Sequence, residues 1–131
     1  MFGFGKTVFK GVNKEKISDR KYIDDYNSGE AIGRVTLGKL GFYYRDLGKK
    51  YYVPYDYIDR TFTRISECQP DDSPAYFYYR LILVHGEKEF ANLIFNKEPE
   101  VDLIHQRLKE INPDIQYGYI PPADGKRKYF C

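Results

Sequence analysis

Tryptophan is absent from this 131-residue sequence, methionine occurs once, and the only cysteines are Cys68 and Cys131. The cysteines form no C-x-x-C pair and no cysteine–histidine cluster, so the usual zinc motifs and disulfide frameworks are missing. No apolar run approaches the length of about 18 residues that a membrane-spanning helix needs. The amino-terminal residues lack the apolar core of a secretory signal. These absences predict a soluble, cytoplasmic protein.

The sequence also lacks the spacing patterns that mark catalytic and metal sites. His85 and His105 have no partner at a metal-ligand spacing such as H-E-x-x-H, and no nucleophile lies in a recognisable elbow. Cys68 precedes a polar loop, and the sequence leaves open whether it is a surface thiol or is bridged to Cys131. Paired carboxylates do occur, but such pairs are as typical of caps and turns as of acid–base catalysis. They are Asp24 and Asp25, Asp56 and Asp59, and Asp71 and Asp72. We therefore expect no catalytic residue, no cofactor and no metal.

The composition of the sequence is notable for its aromatic residues and for its mixture of positive and negative charges. The chain contains 14 tyrosines and 9 phenylalanines, and these residue types favour the half-buried surface of a β-sheet. Its 21 basic and 19 acidic residues are interspersed and leave a net charge of only +2. So small a charge does not by itself indicate a nucleic-acid or membrane partner.

The first half of the sequence predicts a short helix followed by strands. Ser18 is placed to cap the helix, and Gly29 is placed to end it in a left-handed conformation. Apolar residues then recur at every second position, which is the period of a strand. Two aromatic runs, at residues 42–45 and 50–53, flank a turn at residues 46–48 that contains a glycine. This pattern predicts a β-hairpin.

Three further strands are predicted in the second half. Residues 57–66 alternate irregularly, because Ile58 and Phe62 share a face with two arginines, and a β-bulge would resolve the conflict. Residues 75–84 and 88–95 have the pattern of two antiparallel partners joined by a tight turn.

An amphipathic helix is predicted after the last strand. Pro99 suits the first helical position, and the acidic residues around it suit the positive end of the helix dipole. An apolar stripe at helical spacing consists of Val101, Ile104, Leu108 and Ile111. A helix of this length depends on burying such a stripe, so we expect it to cover a core.

The order of these elements resembles that of a known family. Residues 41–45 (Gly-Phe-Tyr-Tyr-Arg) lead through the hairpin into residues 52–58 (Tyr-Val-Pro-Tyr-Asp-Tyr-Ile). Over about residues 31–112 the pattern resembles the bacterial branch of the pleckstrin-homology-like and GRAM-like domains. The resemblance implies a mainly β fold, in which a barrel of two packed antiparallel sheets is closed by a carboxy-terminal amphipathic helix.

The length of the chain predicts one domain over residues 1–131. Within it we expect a helical extension at about 1–30, the pleckstrin-homology-like core at about 31–112 and a tail at 113–131. Two departures limit what the resemblance implies about function. The tryptophan that is usual in the last helix of eukaryotic members is absent. Phosphoinositide-binding members cluster basic residues on the first hairpin, whereas here that hairpin offers only Lys39 and Arg45, which stand apart. We therefore expect no stable membrane binding.

Aromatic and basic residues alternate in the predicted hairpin and form a candidate interaction surface. Its residues are Tyr43, Arg45, Lys49, Lys50 and Tyr51. Tyrosine and arginine are frequent anchors at protein interfaces, so we expect a non-enzymatic module that binds a protein or peptide, self-association included. The alternative is a barrel that binds a ligand or single-stranded nucleic acid, with bases stacked on aromatic rings. Acidic neighbours weaken the positive field, which disfavours nucleic acid.

Overall fold

A computed structural model describes residues 8–68, 71–72 and 74–118. These residues form two α-helices, ten strands and one 3₁₀ turn. The helices are α1 (Arg20–Ser28) and α2 (Glu98–Ile111), and the 3₁₀ turn is Tyr55–Tyr57. The strands are β1 (Phe9–Lys10), β2 (Lys16–Ile17), β3 (Glu30–Ile32), β4 (Val35–Leu37), β5 (Phe42–Asp46), β6 (Lys49–Val53), β7 (Arg60–Cys68), β8 (Tyr76–His85), β9 (Lys88–Phe95) and β10 (Gln116–Tyr117).

The chain divides into two compact units, Met1–Tyr57 and Ile58–Cys131. The first unit contains a six-stranded sheet of order β2-β1-β6-β5-β4-β3. Strands β3 to β6 form an antiparallel meander, and β1 pairs with β6 in parallel. The predicted aromatic hairpin is confirmed as β5 and β6, because Tyr43 pairs with Tyr52 and Tyr44 pairs with Tyr51.

Helix α1 begins and ends differently from its sequence prediction. Its N-cap residue is Asp19 rather than Ser18, and no side chain caps the first turn. Gly29 has a φ of −76°, so the expected left-handed ending is wrong. The backbone N–H of Gly29 instead donates to the carbonyl of Tyr26, which is sufficient to end a short helix.

An aromatic cluster forms part of the core of the first unit. Phe9, Tyr43 and Tyr52 form a buried cluster, against which helix α1 packs Tyr22 and Tyr26. The rings meet at angles, with centroids 5.0 Å apart for Phe9 and Tyr43 and 4.8 Å apart for Tyr22 and Tyr52. Tilted and edge-on contacts are the arrangements that aromatic quadrupoles favour.

The second unit contains a four-stranded sheet of order β10-β7-β8-β9, in which β10 pairs with β7 in parallel. The bulge expected in β7 is wrong, because β7 and β8 pair in unbroken register from Arg60 to Cys68. Arg64 is tolerated on the buried face because its guanidinium is bidentate to Glu89, at 3.2 and 2.7 Å. The guanidinium also lies 5.4 Å from the ring centroid of Phe62. A register irregularity lies between β8 and β9, at Leu83 and Val84.

Helix α2 packs on the sheet of the second unit, where it contacts β7, β8 and β9. Pro99 lies in its first turn, as predicted. Val101, Ile104 and Leu108 are fully buried, which confirms most of the apolar stripe. Ile111 is 43% exposed, because the helix ends at this residue.

The expected mainly β class is confirmed, but both sheets are mixed rather than purely antiparallel. Among the residues described, no strand pairing closes either sheet into a barrel. Those residues also include no helix long and apolar enough to cross a membrane. Cys68 is buried and disulfide-bonded, so of the two possibilities that the sequence left open the surface thiol is wrong. A disulfide is not what a reducing compartment predicts, so the cysteines do not support a cytoplasmic location.

Candidate functional site

The hairpin of β5 and β6 places charged side chains on both sides of a two-residue turn. Its register sets Arg45 opposite Lys50 and Asp46 opposite Lys49. The turn residues Leu47 and Gly48 both have positive φ, at 50° and 77°. Two residues of positive φ make a type I′ turn, which matches the twist of adjacent strands and so holds the register.

Leu47 is an unusual residue for the first position of this turn. A type I′ turn favours asparagine, aspartate or glycine there, because a side chain with a Cβ is strained at positive φ. Leu47 is also 90% exposed, so its apolar side chain contributes almost nothing to the core. Strained residues of this kind occur preferentially at functional sites. Leu47 is therefore a candidate apolar contact for a partner.

A recess of about 440 Å³ lies at this hairpin. We name it the hairpin recess, and it is lined by Arg34, Arg45, Asp46, Leu47, Gly48, Lys49 and Lys50. The lining residues therefore include four cationic residues and one acidic residue, whereas the net charge of the whole chain is only +2. A concave surface with several charges of one sign concentrates the electrostatic potential and attracts the opposite charge.

Arg34 reaches the recess from the turn between β3 and β4. Its Nε donates to the carbonyl oxygen of Arg45 at 2.9 Å, and its Nη2 donates to Asp46 Oδ1 at 3.1 Å. The backbone N–H of Arg45 in turn donates to the carbonyl of Arg34 at 3.0 Å. These bonds fix the guanidinium at the edge of the recess instead of leaving it free in solvent.

Two of the remaining cations are arranged at some cost to the hairpin. Arg45 and Lys50 lie directly opposite each other across the ladder, and like charges in that position destabilise a strand pair. Lys50 has its Nζ 5.2 Å from the ring centroid of Tyr26, a cation–π contact that partly offsets the cost. Arg45 and Lys49 are exposed. An anion in the recess would relieve the repulsion.

Three of the five residues predicted for the interaction surface line this recess, namely Arg45, Lys49 and Lys50. The two tyrosines do not. Tyr43 is completely buried, so its assignment to an exposed surface is wrong. Tyr51 is half-buried and stacks on Tyr44, with ring centroids 4.8 Å apart.

Sequence reasoning missed Arg34 and Leu47, and it misjudged the distribution of cations. Lys39 and Arg45 were the only basic residues expected on the first hairpin. Lys39 does not line the recess, whereas Arg45 lies there with three other cations. The signal for Leu47 was present, since an exposed apolar residue before Gly48 is atypical of a type I′ turn. Nothing in the sequence near Arg34 pointed to its position.

A buried carboxylate in the same unit has a structural role. Asp25 accepts hydrogen bonds from the backbone N–H groups of Lys39 and Leu40, at 2.7 and 2.9 Å, and from the hydroxyl of Tyr43 at 2.8 Å. Burial and the bond to Asp25 raise the pKa of Tyr43, which keeps its hydroxyl protonated. Since all these donors are satisfied by one carboxylate, Asp25 anchors the turn between β4 and β5.

The histidines differ from expectation in one case. His105 is half-buried rather than on the open surface of α2, and its Nε2 lies 3.0 Å from Thr61 Oγ1. Burial lowers the pKa of His105, although Asp102 acts in the opposite direction. In the part of the chain that the structure describes, no three histidine, cysteine, aspartate or glutamate residues are grouped to hold a metal.

Comparisons of the chain with protein-family models, with curated proteins and with solved structures found no match.

Proposed function

We propose that this chain is a non-enzymatic interaction module that binds an acidic segment of a protein partner in the hairpin recess. The observation that carries the proposal is that four cationic residues line the same recess, namely Arg34, Arg45, Lys49 and Lys50. Carboxylates are the protein groups that such a surface recognises, because charge-assisted hydrogen bonds to guanidinium and ammonium groups are stronger than neutral ones.

The exposed side chain of Leu47 indicates which residues the bound segment contains. It stands at the tip of the same hairpin and is strained as well as exposed. An apolar residue among acidic ones would cover Leu47 while its neighbours engage the cations. Interfaces generally combine a small apolar contact with a polar rim.

We also propose that the chain has a pleckstrin-homology-like arrangement of strands and helix. Its support is the strand order, since the antiparallel meander β3-β4-β5-β6 is followed by the meander β7-β8-β9 and then by helix α2. This is the order that the family resemblance implied. A cytoplasmic location also stays a prediction.

Single-stranded nucleic acid is the competing ligand, and the burial of the tyrosines weighs against it. Base stacking needs exposed rings beside the cations. Tyr43 and Tyr44 are buried, and one face of Tyr51 is occupied by Tyr44. The recess therefore combines positive charge with few open aromatic faces.

The test is fluorescence anisotropy with a labelled peptide, Gly-Glu-Glu-Leu-Glu-Glu-Gly, at low ionic strength. We expect the Arg45→Ala, Lys49→Ala double variant to bind about tenfold more weakly than wild type, since each exposed ion pair contributes up to about 1 kcal/mol. The matched control is the double variant Lys88→Ala, Lys109→Ala, which removes the same charge from exposed positions in the second unit. It should bind within about twofold of wild type.

Two further probes separate the alternatives. A labelled oligothymidine and vesicles containing phosphatidylserine are each titrated at about 150 mM salt. Tight binding of either one, lost in the Arg45→Ala, Lys49→Ala variant, would show that the recess serves nucleic acid or a membrane instead. Equal weakening of peptide binding in both double variants would mean that only the net charge matters.

A further inference from the structure

The carboxylate in the hairpin recess occupies part of the surface that an acidic ligand would use. Asp46 Oδ1 lies 3.1 Å from Nη2 of Arg34. The two side chains are 38% and 31% exposed, respectively, so solvent and ligand reach this ion pair. An exposed pair of this kind is held by a modest free energy and can exchange partners.

Arg34 does not depend on Asp46 alone for its position. The bond from its Nε to the carbonyl of Arg45, at 2.9 Å, is independent of any carboxylate. A guanidinium has five N–H donors, and two of those of Arg34 have partners among the described residues. The guanidinium would therefore stay at the recess, with donors directed outward, if the carboxylate left it.

Asp46 has a second cation to which it can move. Its cross-strand partner in β6 is Lys49, and opposite charges directly across a ladder attract. Displacement from Arg34 therefore leaves the carboxylate beside another positive charge. Asp46 can alternate between the two cations without being left unpaired.

We infer that Asp46 is an internal competitor for Arg34, so that the hairpin recess selects segments that carry two or more neighbouring negative charges. The inference rests on the proposed function. A ligand with one carboxylate only exchanges one ion pair for another at Arg34. A ligand with several can displace Asp46 and engage Arg45 at the same time, which a single tethered carboxylate cannot do.

The experiment compares three peptides of equal length that contain one, two or four adjacent glutamates in a glycine–serine background. Each is labelled with fluorescein and titrated into wild type, Asp46→Asn and Asp24→Asn. Asp24 is the matched control because it is an exposed aspartate with an arginine partner, Arg20, on helix α1. Both substitutions change the net charge equally, so only Asp46→Asn tests the competition.

We expect wild-type affinity to rise steeply between one and two glutamates. Asp46→Asn should bind the one-glutamate peptide about fivefold more tightly than wild type, which corresponds to one exposed ion pair. The peptide affinity of Asp46→Asn should therefore depend less strongly on the number of glutamates than the affinity of wild type does. In an Arg34→Gln background the gain from Asp46→Asn should disappear, because the two residues are coupled.

The failures of the two proposals are distinguishable. If wild type binds the four-glutamate peptide but Asp46→Asn behaves like Asp24→Asn throughout, the competition is wrong while the proposed function stands. If neither wild type nor Asp46→Asn binds any of the peptides, both proposals are wrong. Thermal melting of each variant verifies that the compared proteins are folded.

Discussion

The two units of the chain stabilise their cores in different ways. The first unit buries tyrosines around a carboxylate, and three buried or half-buried hydroxyls donate to fixed acceptors: Tyr43 to Asp25, Tyr52 to the carbonyl of Leu40, and Tyr55 to the carbonyl of Gly38. The second unit buries aliphatic side chains beneath a helix. Its fully buried residues include Leu81, Leu83, Leu93, Ile104 and Leu108.

This difference separates two sources of stability. Aliphatic packing is non-directional and scales with the apolar area removed from water. A buried hydroxyl or carboxylate stabilises a fold only while its partners remain in place, and each lost partner costs the desolvation of the group left behind. The second unit should therefore be most sensitive to a buried charge, and the first to the loss of single hydrogen bonds.

The largest effect is expected from a charge in the aliphatic core. Leu108→Asp places a carboxylate at a fully buried position in α2, at a cost of several kcal/mol, about the whole stability of a small domain. The matched control is Gln106→Asp, on the exposed side of the same helix. Circular dichroism during thermal unfolding should show the first variant unfolded and the second close to wild type. A melting temperature for Leu108→Asp within a few degrees of wild type would contradict the account.

A smaller loss is expected when the carboxylate of the first unit is removed. Asp25→Ala leaves the N–H groups of Lys39 and Leu40 and the hydroxyl of Tyr43 without their acceptor. We expect the free energy of unfolding, measured in urea, to fall by about 3 kcal/mol. Asp24→Ala, at the exposed neighbouring position, should change it by less than about 0.5 kcal/mol. Similar values for the two variants would show that Asp25 is not an anchor.

Removing one hydroxyl should have a smaller effect still. Tyr43→Phe deletes one of the three donors to Asp25 and should reduce the free energy of unfolding by about 1.5 kcal/mol, because the acceptor is charged. Tyr22→Phe is the control within the same cluster, since its hydroxyl has no hydrogen bond among the residues described. A loss as large in Tyr22→Phe would mean that the hydrogen bond from Tyr43 to Asp25 is not the source of the effect.

The smallest expected effect is a dependence of stability on pH, through His105 in the second unit. Burial lowers the pKa of His105 from its ordinary value of 6.5, so the unfolded chain binds the proton more readily than the folded one. The stabilising contribution of neutral His105 is therefore fully present above pH 6.5. It is lost as the pH decreases from 6.5 towards the lower folded-state pKa of this residue. Unfolding in urea at about pH 7 and about pH 5 should show a loss in wild type that is reduced in His105→Gln. An equal loss in both proteins would assign the pH dependence to other groups.

Local pattern was sufficient to predict α2 and two of the hairpins, β5–β6 and β8–β9. Two aromatic runs on either side of the turn at Gly48 predicted β5 and β6, and the apolar stripe with Pro99 predicted the helix. The parallel pairs β1–β6 and β10–β7 were not predicted, because they join short strands that are distant in sequence and carry no turn signal. Arg64 was misread as evidence for a bulge, since its partner Glu89 lies 25 residues away.

The candidate site could be predicted only in part, because some of its contacts join residues that are distant in sequence. Arg45, Lys49 and Lys50 are close in sequence, so their proximity was evident from the hairpin alone. Arg34 comes from the preceding hairpin and reaches the site through a bond to a residue 11 positions later. The burial of Tyr43 was not evident either, because alternation in a strand does not reveal which face a helix will cover.

Mapping where an acidic peptide contacts the chain shows whether the hairpin recess is the binding surface. Unlabelled Gly-Glu-Glu-Leu-Glu-Glu-Gly is titrated into ¹⁵N-labelled protein at low ionic strength, and the backbone amide shifts are followed by NMR. We expect the largest shifts at Arg34 and at residues 45–50, with little change in residues 58–118. Shifts that are concentrated in the second unit, or spread evenly over exposed cations, would contradict this expectation.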